Sequence, residues 1–210
     1  PYRLEILLNS HFSTEYLLSS GFFRQSLKSG ITGWPALKPD RIFMPYWVED
    51  NIIGCKTRLD PYHFGPDECK YAIPNGSRIG KHLWCPRPLE GDVILTEGEI
   101  KAASACQLNI TACSTSGING AQAALTYLPK YVRKGKIKRL FIIYDNEITD
   151  LPVSLSQIQA RKLANIIPNT VNVLLPLNHN QKKIDLDAFI IEQGESRLLD
   201  LMEDAWYEKY

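Results

Sequence analysis

The stretch Asp92-Val-Ile-Leu-Thr-Glu-Gly-Glu-Ile-Lys-Ala102 decides how the rest of the chain is read. Val93 to Thr96 reads as a strand buried on both faces, and the residues from Glu99 onward read as a helix. Glu97 and Glu99 stand at the junction, separated only by Gly98. Burying carboxylates is costly unless a cation or hydrogen bonds compensate. A core strand that ends in two acids therefore needs a physical reason.

The same rhythm continues outward. After the helix from Glu99 to Leu108 come a short strand, Ile110 to Cys113, and a helix, Ala121 to Tyr131. A fully apolar strand, Leu140 to Tyr144, follows. Ser154 with Gln157 three residues on is a capping-box pattern that opens the next helix. Its apolar positions Leu155, Ile158, Leu163 and Ile166 fit one helical face only roughly. Val171 to Leu175 is the next strand, and Asp187 to Trp206 reads as a helical tail. Apolar strands alternating with helices imply an α/β fold whose parallel sheet is covered on both faces. Upstream the pattern differs. Leu4, Leu7 and Leu8 share a helical face, and Ser13 caps a helix that runs to Gly21. Arg41 to Val48 and Ile52 to Leu59 flank the polar turn Glu49-Asp50-Asn51 as a hairpin. The organisation expected is residues 1–90 as a small α+β basic subdomain, 91–190 as the α/β domain and 191–210 as a helical tail.

Composition sets the class. The chain has 210 residues, 44% of them hydrophobic and 22% charged, which is typical of a soluble globular protein. There is no apolar run of about 18 residues, so no spanning helix and no membrane partner are expected. The N-terminus carries no signal-peptide pattern. The net charge of +1 argues neither for nor against nucleic acid. Five cysteines without a C-x-x-C pair make a zinc site unexpected and suit a reducing, cytoplasmic setting.

The opening question then has a second and a third instance. Leu140 to Tyr144 runs into Asp145-Asn146-Glu147, and Val171 to Leu175 leads after a loop to Asp185 and Asp187. Sites in parallel α/β sheets form at the carboxyl ends of strands, where all three acid groups fall. Clustered carboxylates without His or Cys suit a hard divalent cation such as Mg²⁺. The other reading is that the acids cap the helices that follow them.

These residues resemble the TOPRIM domain, the metal-binding module shared by topoisomerases, primases and some nucleases. Glu97-Gly98 resembles its Glu-Gly after the first strand, and Asp145-Asn146-Glu147 its Asp-x-Asp after the third. Thr115-Ser-Gly-Ile-Asn-Gly120 resembles its glycine-containing loop. Asp185, in Lys183-Ile-Asp-Leu-Asp-Ala-Phe189, resembles the later acidic segment of primases. Arg41-Ile-Phe-Met-Pro45, Gly54-Cys-Lys-Thr-Arg58, Lys70-Tyr71 and Lys81 occur in the order seen ahead of this fold in bacterial replicative primases of the DnaG type. The likeness covers roughly residues 40 to 190 and is nearest to divergent primase-like domains of phages, plasmids and other mobile elements. Glu147 departs from the pattern, standing where the family usually has Asp.

The resemblance implies a primase-like nucleotidyltransferase core acting on single-stranded DNA and nucleotides with Mg²⁺ or Mn²⁺, in replication of a mobile element or phage. Glu97 would be the acid/base or metal-linked carboxylate. Asp145 and Glu147 would bind the metal, with Asp185 assisting. Arg41, Lys56, Arg58, Lys70, Lys81 and Lys101 would hold nucleic acid or nucleotide. The sequence shows no zinc-binding module or helicase segment, so either would come from elsewhere in a parent protein. A TOPRIM nuclease and a catalytically silent nucleic-acid-binding module are the competing readings.

The densest basic run, Lys130 to Arg139, lies ahead of the strand that carries Asp145. Five strand residues at about 3.3 Å each separate the two by roughly 16 Å, which makes the run a solvated loop or a secondary contact. The tryptophans read mainly as core.

Overall fold

Strands with no polar face need cover on both sides, and the fold supplies it. The computed structural model describes residues 41–48, 51–59, 69–74, 76–117 and 120–209. The N-terminal helix expected to end at Gly21 lies outside them, as does most of the Glu49–Asn51 turn. The chain divides into two units, Pro1–Trp84 and Cys85–Tyr210.

The first unit contains an antiparallel meander of β1 (Arg41–Val48), β2 (Asn51–Leu59) and β3 (Tyr71–Ala72), in that spatial order. The hairpin expected from the sequence is present, with Arg41 opposite Leu59 and Pro45 opposite Cys55. Met44, Tyr46 and Cys55 are fully buried.

The second unit is built on β4 (Gly91–Thr96), α1 (Glu99–Gln107), β5 (Thr111–Ser114), α2 (Ala121–Arg133) and β6 (Ile137–Ile142). After these come the two-residue strand β7 (Asn146–Glu147), α3 (Leu155–Ile166), β8 (Thr170–Asn172), the two-residue β9 (Lys183–Ile184) and α4 (Leu186–Lys209). Four strands pair in the order β5-β4-β6-β8, all parallel. Val93, Ile94, Leu95, Leu140, Phe141 and Ile142 have no exposed surface, so both faces of the two central strands are covered. Among the helices, α1 packs on α4 and α2 on α3. Ala102, Ala103 and Ala105 are completely buried, and their small side chains let α1 lie close to its neighbours. α4 is broken at Gly194, whose φ of +82° suits a residue without Cβ. This is the α/β architecture the sequence implied.

α3 departs from its hydrophobicity pattern. Leu155, Ile158 and Ile166 are exposed, whereas Ser156, Gln157, Ala160, Leu163 and Ala164 are buried. The polar pair Ser156-Gln157 faces inward because the strand ends beneath it need hydrogen-bonding partners. Among the described residues, no helix is long and apolar enough to cross a membrane.

Arg139, the last residue of the basic run, ties the sheet to α4. Its guanidinium donates to Asp92 Oδ2 from Nη2 at 2.5 Å and to Glu203 Oε1 and Oε2 at 2.7 and 2.8 Å. It also lies over the rings of Phe141 (5.3 Å) and Trp206 (5.6 Å). The lysines of the run, Lys130, Lys134, Lys136 and Lys138, are exposed.

The hydrogen bonds from Arg139 hold the Glu203 carboxyl below its ordinary 4.5. A depressed folded-state value stabilises the fold above the unfolded value, and that contribution is lost as pH falls through the folded one. The pair is partly exposed, so its contribution stays below about 1 kcal/mol. Urea midpoints measured from pH 4.5 downward should therefore fall less steeply in Glu203→Gln than in the unmutated protein. Identical slopes would contradict this role for the pair.

Candidate active site

The two central strands put their acids side by side. β4 and β6 are adjacent and parallel, with Val93 opposite Leu140 and Leu95 opposite Ile142. Each strand then delivers one carboxylate from its carboxyl end, Glu97 from β4 and Asp145 from β6. Both residues are buried, at 8% and 4% exposure. Gly98 is the N-cap of α1, and the helix begins at Glu99. Lys101 is therefore placed in the first turn, four residues after Glu97, and its Nζ donates to Glu97 Oε1 at 3.0 Å. The same ammonium also pairs with Asp145 Oδ1. It is the compensating cation that the buried acids require.

A second lysine completes the cluster. β7 pairs antiparallel with β9, setting Glu147 opposite Lys183. Lys183 Nζ lies 2.7 Å from Asp145 Oδ2 and 3.6 Å from Glu147 Oε2. The two oxygens of Asp145 are thus divided between two lysines. Glu97, Asp145 and Glu147 form a chain of carboxylates with an ammonium group in each gap.

Buried neighbours fix the frame. Ser156 Oγ donates to Glu97 Oε2 at 3.3 Å. Gln157 Nε2 donates to the main-chain oxygens of Tyr144 (3.3 Å) and Asp145 (3.0 Å), and its Oε1 accepts from Asn172 Nδ2 at 3.0 Å. The Gln157 amide therefore links the ends of β6 and β8. Ser154 Oγ accepts from Gln157 N at 3.3 Å, as the capping pattern predicts, while the Gln157 side chain serves the strand ends. The glycine-containing loop after β5 is tied to Glu97 through its backbone: Gly117 N donates to Glu97 O at 2.8 Å and Thr115 N to Thr96 O at 3.0 Å. Gly120 admits no side chain, since a Cβ there would fall 2.7 Å from Thr115 Cβ.

The two buried acids differ in proton affinity. Burial first, and then the hydrogen bond with Asp145, push the Glu97 carboxyl up. Asp145 is also penalised by burial, but the hydrogen bond from Glu97 and the Lys101 and Lys183 ammonium groups outweigh it and hold Asp145 below the usual carboxylate range. Burial disfavours the charged form of Lys101, yet the two carboxylates outweigh that penalty and keep it protonated.

The acids of the cluster supply carboxylate oxygens, the donors a hard divalent cation prefers. The hydroxyls of Thr96 and Ser114, at the ends of β4 and β5, are buried without a hydrogen-bond partner. Among the described residues, however, no three acidic, histidine or cysteine side chains are gathered closely enough to hold an ion as they stand. The lysines occupy the gaps.

Other residues singled out from the sequence lie apart from this cluster or serve another purpose. Asp185 Oδ1 accepts from Ala188 N at 3.1 Å and caps α4, which is the helix-capping reading of that acid. In the first unit, Lys56 and Arg58 share one face of β2, as their alternation predicts. They lie over the Tyr71 ring at 4.6 and 5.7 Å, and Lys70 joins them at 5.7 Å. Lys81 is exposed at the end of a short helical turn, Ile79–Lys81. Arg41 lies on β1. Trp84 is buried core, and the Trp206 ring packs at a tilt against Phe141, with centroids 6.0 Å apart. Lys183 and Ser156 were not singled out from the sequence, and Gln157 was read only as a helix-capping residue. Ser156 and Gln157 could have been found from two polar residues at inward positions of a helix that follows the acidic strand.

Neither the protein-family models nor the curated proteins give a match to the sequence. Solved structures do match. The zinc-binding and RNA polymerase domains of the Aquifex aeolicus primase align over 92% of this chain with 18% identity and a TM-score of 0.62. The chain spans about half, 49%, of that structure. The RNA polymerase domain of the Mycobacterium tuberculosis primase DnaG aligns over 93% of this chain and 67% of its own, with 13% identity and a TM-score of 0.59. A bacteriophage T7 structure, of lagging-strand DNA polymerase interacting with primase domains bound to an RNA/DNA hybrid and dTTP, aligns over 87% of this chain and 85% of the matched one. Its identity is 16% and its TM-score 0.54. The chain therefore has the fold of primase RNA polymerase domains, the architecture that the Glu97-Gly98 and Asp145-Asn146-Glu147 resemblance implied.

The frame makes a prediction of its own. Gln157→Ala removes an amide that satisfies two strand-end carbonyls and Asn172, and should cost about 1–3 kcal/mol. Chemical denaturation of the full chain measures this. A change well under 0.5 kcal/mol, the range of an ordinary surface substitution, would show that Gln157 does not hold the strand ends.

Proposed function

We propose that the chain is a primase-type nucleotidyltransferase core that joins nucleotides on single-stranded DNA with a divalent cation, Mg²⁺ or Mn²⁺. The observation that carries this reading is the Glu97–Asp145 pair. Two buried carboxyls of opposite proton tendency sit at adjacent parallel strand ends, within the fold of primase RNA polymerase domains.

The roles are those the resemblance implies, and the geometry supports them. Asp145, held ionised, and Glu147, half-buried beside it, are the residues that would hold the cation. A bound divalent cation would screen the charge of an incoming triphosphate. Glu97, with the higher proton affinity, is placed to take a proton from an attacking 3′-hydroxyl and hold it at its carboxylate. Ser156 keeps the Glu97 carboxyl oriented from its other oxygen. Asp185 steadies the segment that carries Lys183 by capping α4. The cations of the first unit, Arg41, Lys56, Arg58, Lys70 and Lys81, would follow a phosphate backbone. The resemblance to primase-like domains of phages and plasmids supports a place in replication of a mobile element, working with a helicase or zinc-binding module supplied elsewhere.

One observation favours a second reading, a catalytically silent binding module: the carboxylates are already neutralised by Lys101 and Lys183. Primer synthesis separates the two. The protein is incubated with single-stranded DNA, labelled nucleotides and Mg²⁺ or Mn²⁺, with Glu97→Gln and Asp145→Asn alongside. Short products made only by the unmutated protein are expected, with at least a hundredfold loss in either variant on the scale of a lost general base. Product formation undiminished in Glu97→Gln would overturn the site assignment. Template degradation in the same lanes would identify a nuclease, and binding without chemistry would identify the silent module.

A further inference from the structure

We propose that the carboxylate cluster takes one exchangeable divalent cation rather than two, because Lys101 is built in as its second, permanent positive charge. The inference rests on the cation-assisted reading given above and assigns opposite behaviour to the two lysines.

The cluster has two gaps, Glu97–Asp145 and Asp145–Glu147, each spanned by one ammonium group. The lysines that fill them differ in every respect that governs exchange. The Lys101 side chain is 15% exposed, and both of its partners are buried. It rises from the first turn of α1, where the i, i+4 spacing fixes it above Glu97. Removing it would strand two buried carboxylates without a cation, the arrangement proteins tolerate least.

Lys183 is 51% exposed and stands on a two-residue edge strand. One of its contacts is short, 2.7 Å to Asp145 Oδ2, and the other is loose, 3.6 Å to Glu147 Oε2. Its ammonium can move into water at little desolvation cost. The Asp145–Glu147 gap also opens outward, since the Glu147 side chain is 30% exposed. A divalent cation entering this gap brings two charges where Lys183 brought one and meets the oxygen donors it prefers. The same cation entering the Glu97–Asp145 gap would have to expel a buried ammonium held on two sides. Exchange therefore takes place in the outer gap only. Lys101 is a positioning residue: it holds the Glu97 and Asp145 carboxylates at a fixed separation whether or not the outer gap is filled.

The test is Mn²⁺ binding by the full chain at constant pH. Stoichiometry is read from the electron paramagnetic resonance signal of free Mn²⁺, and affinity from calorimetry. The unmutated protein should bind one ion per chain. Lys183→Gln should still bind one, about two- to fivefold more tightly, the factor equivalent to losing one exposed ion pair. Lys101→Met should either bind a second ion or show a lowered melting temperature that added Mn²⁺ restores. Two ions per unmutated chain, or unchanged or weaker binding in Lys183→Gln, would overturn this inference and leave the cation-assisted function standing. No Mn²⁺ binding by the unmutated protein or by Lys183→Gln would overturn both. The Lys183→Gln arm does not depend on whether Lys101→Met folds.

Discussion

The interaction on which the second unit depends is the pairing of two buried carboxylates with one buried ammonium. Glu97 and Asp145 leave the central strands β4 and β6 where the sheet has no exposed surface. Such acids are tolerated only when a cation and hydrogen bonds replace water. Lys101 supplies the cation, Ser156 bonds the far oxygen of Glu97, and Gln157 bonds the main chain that carries Asp145. Much of the local architecture follows from this need. α1 must start immediately after Glu97 so that position i+4 falls over the acid. The start of α3 must turn a polar pair inward. The loop after β5 must approach closely enough for Gly117 to bond Glu97 O and for Gly120 to pass Thr115.

This dependence explains what the sequence revealed and what it concealed. An apolar run that stops at an acid is visible in one dimension, so the two acid-bearing strands and the helix after Glu97 were legible from Val93 to Lys101 and from Leu140 to Glu147. Their adjacency was not, because β5 and two helices lie between them in the chain. The register of Leu95 with Ile142 in the structure supplies that step. α3 misled for a physical reason. Its apolar residues Leu155, Ile158 and Ile166 point outward and its polar residues point inward, so a hydrophobic face could not mark its orientation. Lys183 was invisible because a two-residue strand pairing leaves almost no pattern. Asp185 showed the ambiguity of any acid ahead of a helix: it caps α4, and its chemistry still allows it to assist a cation.

The first unit poses a different electrostatic arrangement. Lys56, Arg58 and Lys70 gather around the ring of Tyr71, where the negative face of the aromatic ring eases the mutual repulsion of three cations. Strand alternation places the first two, and the β2–β3 pairing of Arg58 with Tyr71 brings the ring beneath them. The result is a cluster of three cations on one aromatic ring, with the Arg58 side chain itself buried. Both features suit a polyanion with stacking bases, and they agree with the nucleic-acid role proposed for these residues.

The central claim is that the strand-end acids form a cation site whose working pair is Asp145 and Glu147. Anomalous diffraction from crystals of the chain soaked in Mn²⁺ tests it most directly. The account predicts one strong peak between Asp145 and Glu147, with Lys183 displaced and Lys101 still bridging Glu97 and Asp145. No peak at the cluster, or a peak in place of the Lys101 ammonium, would contradict it.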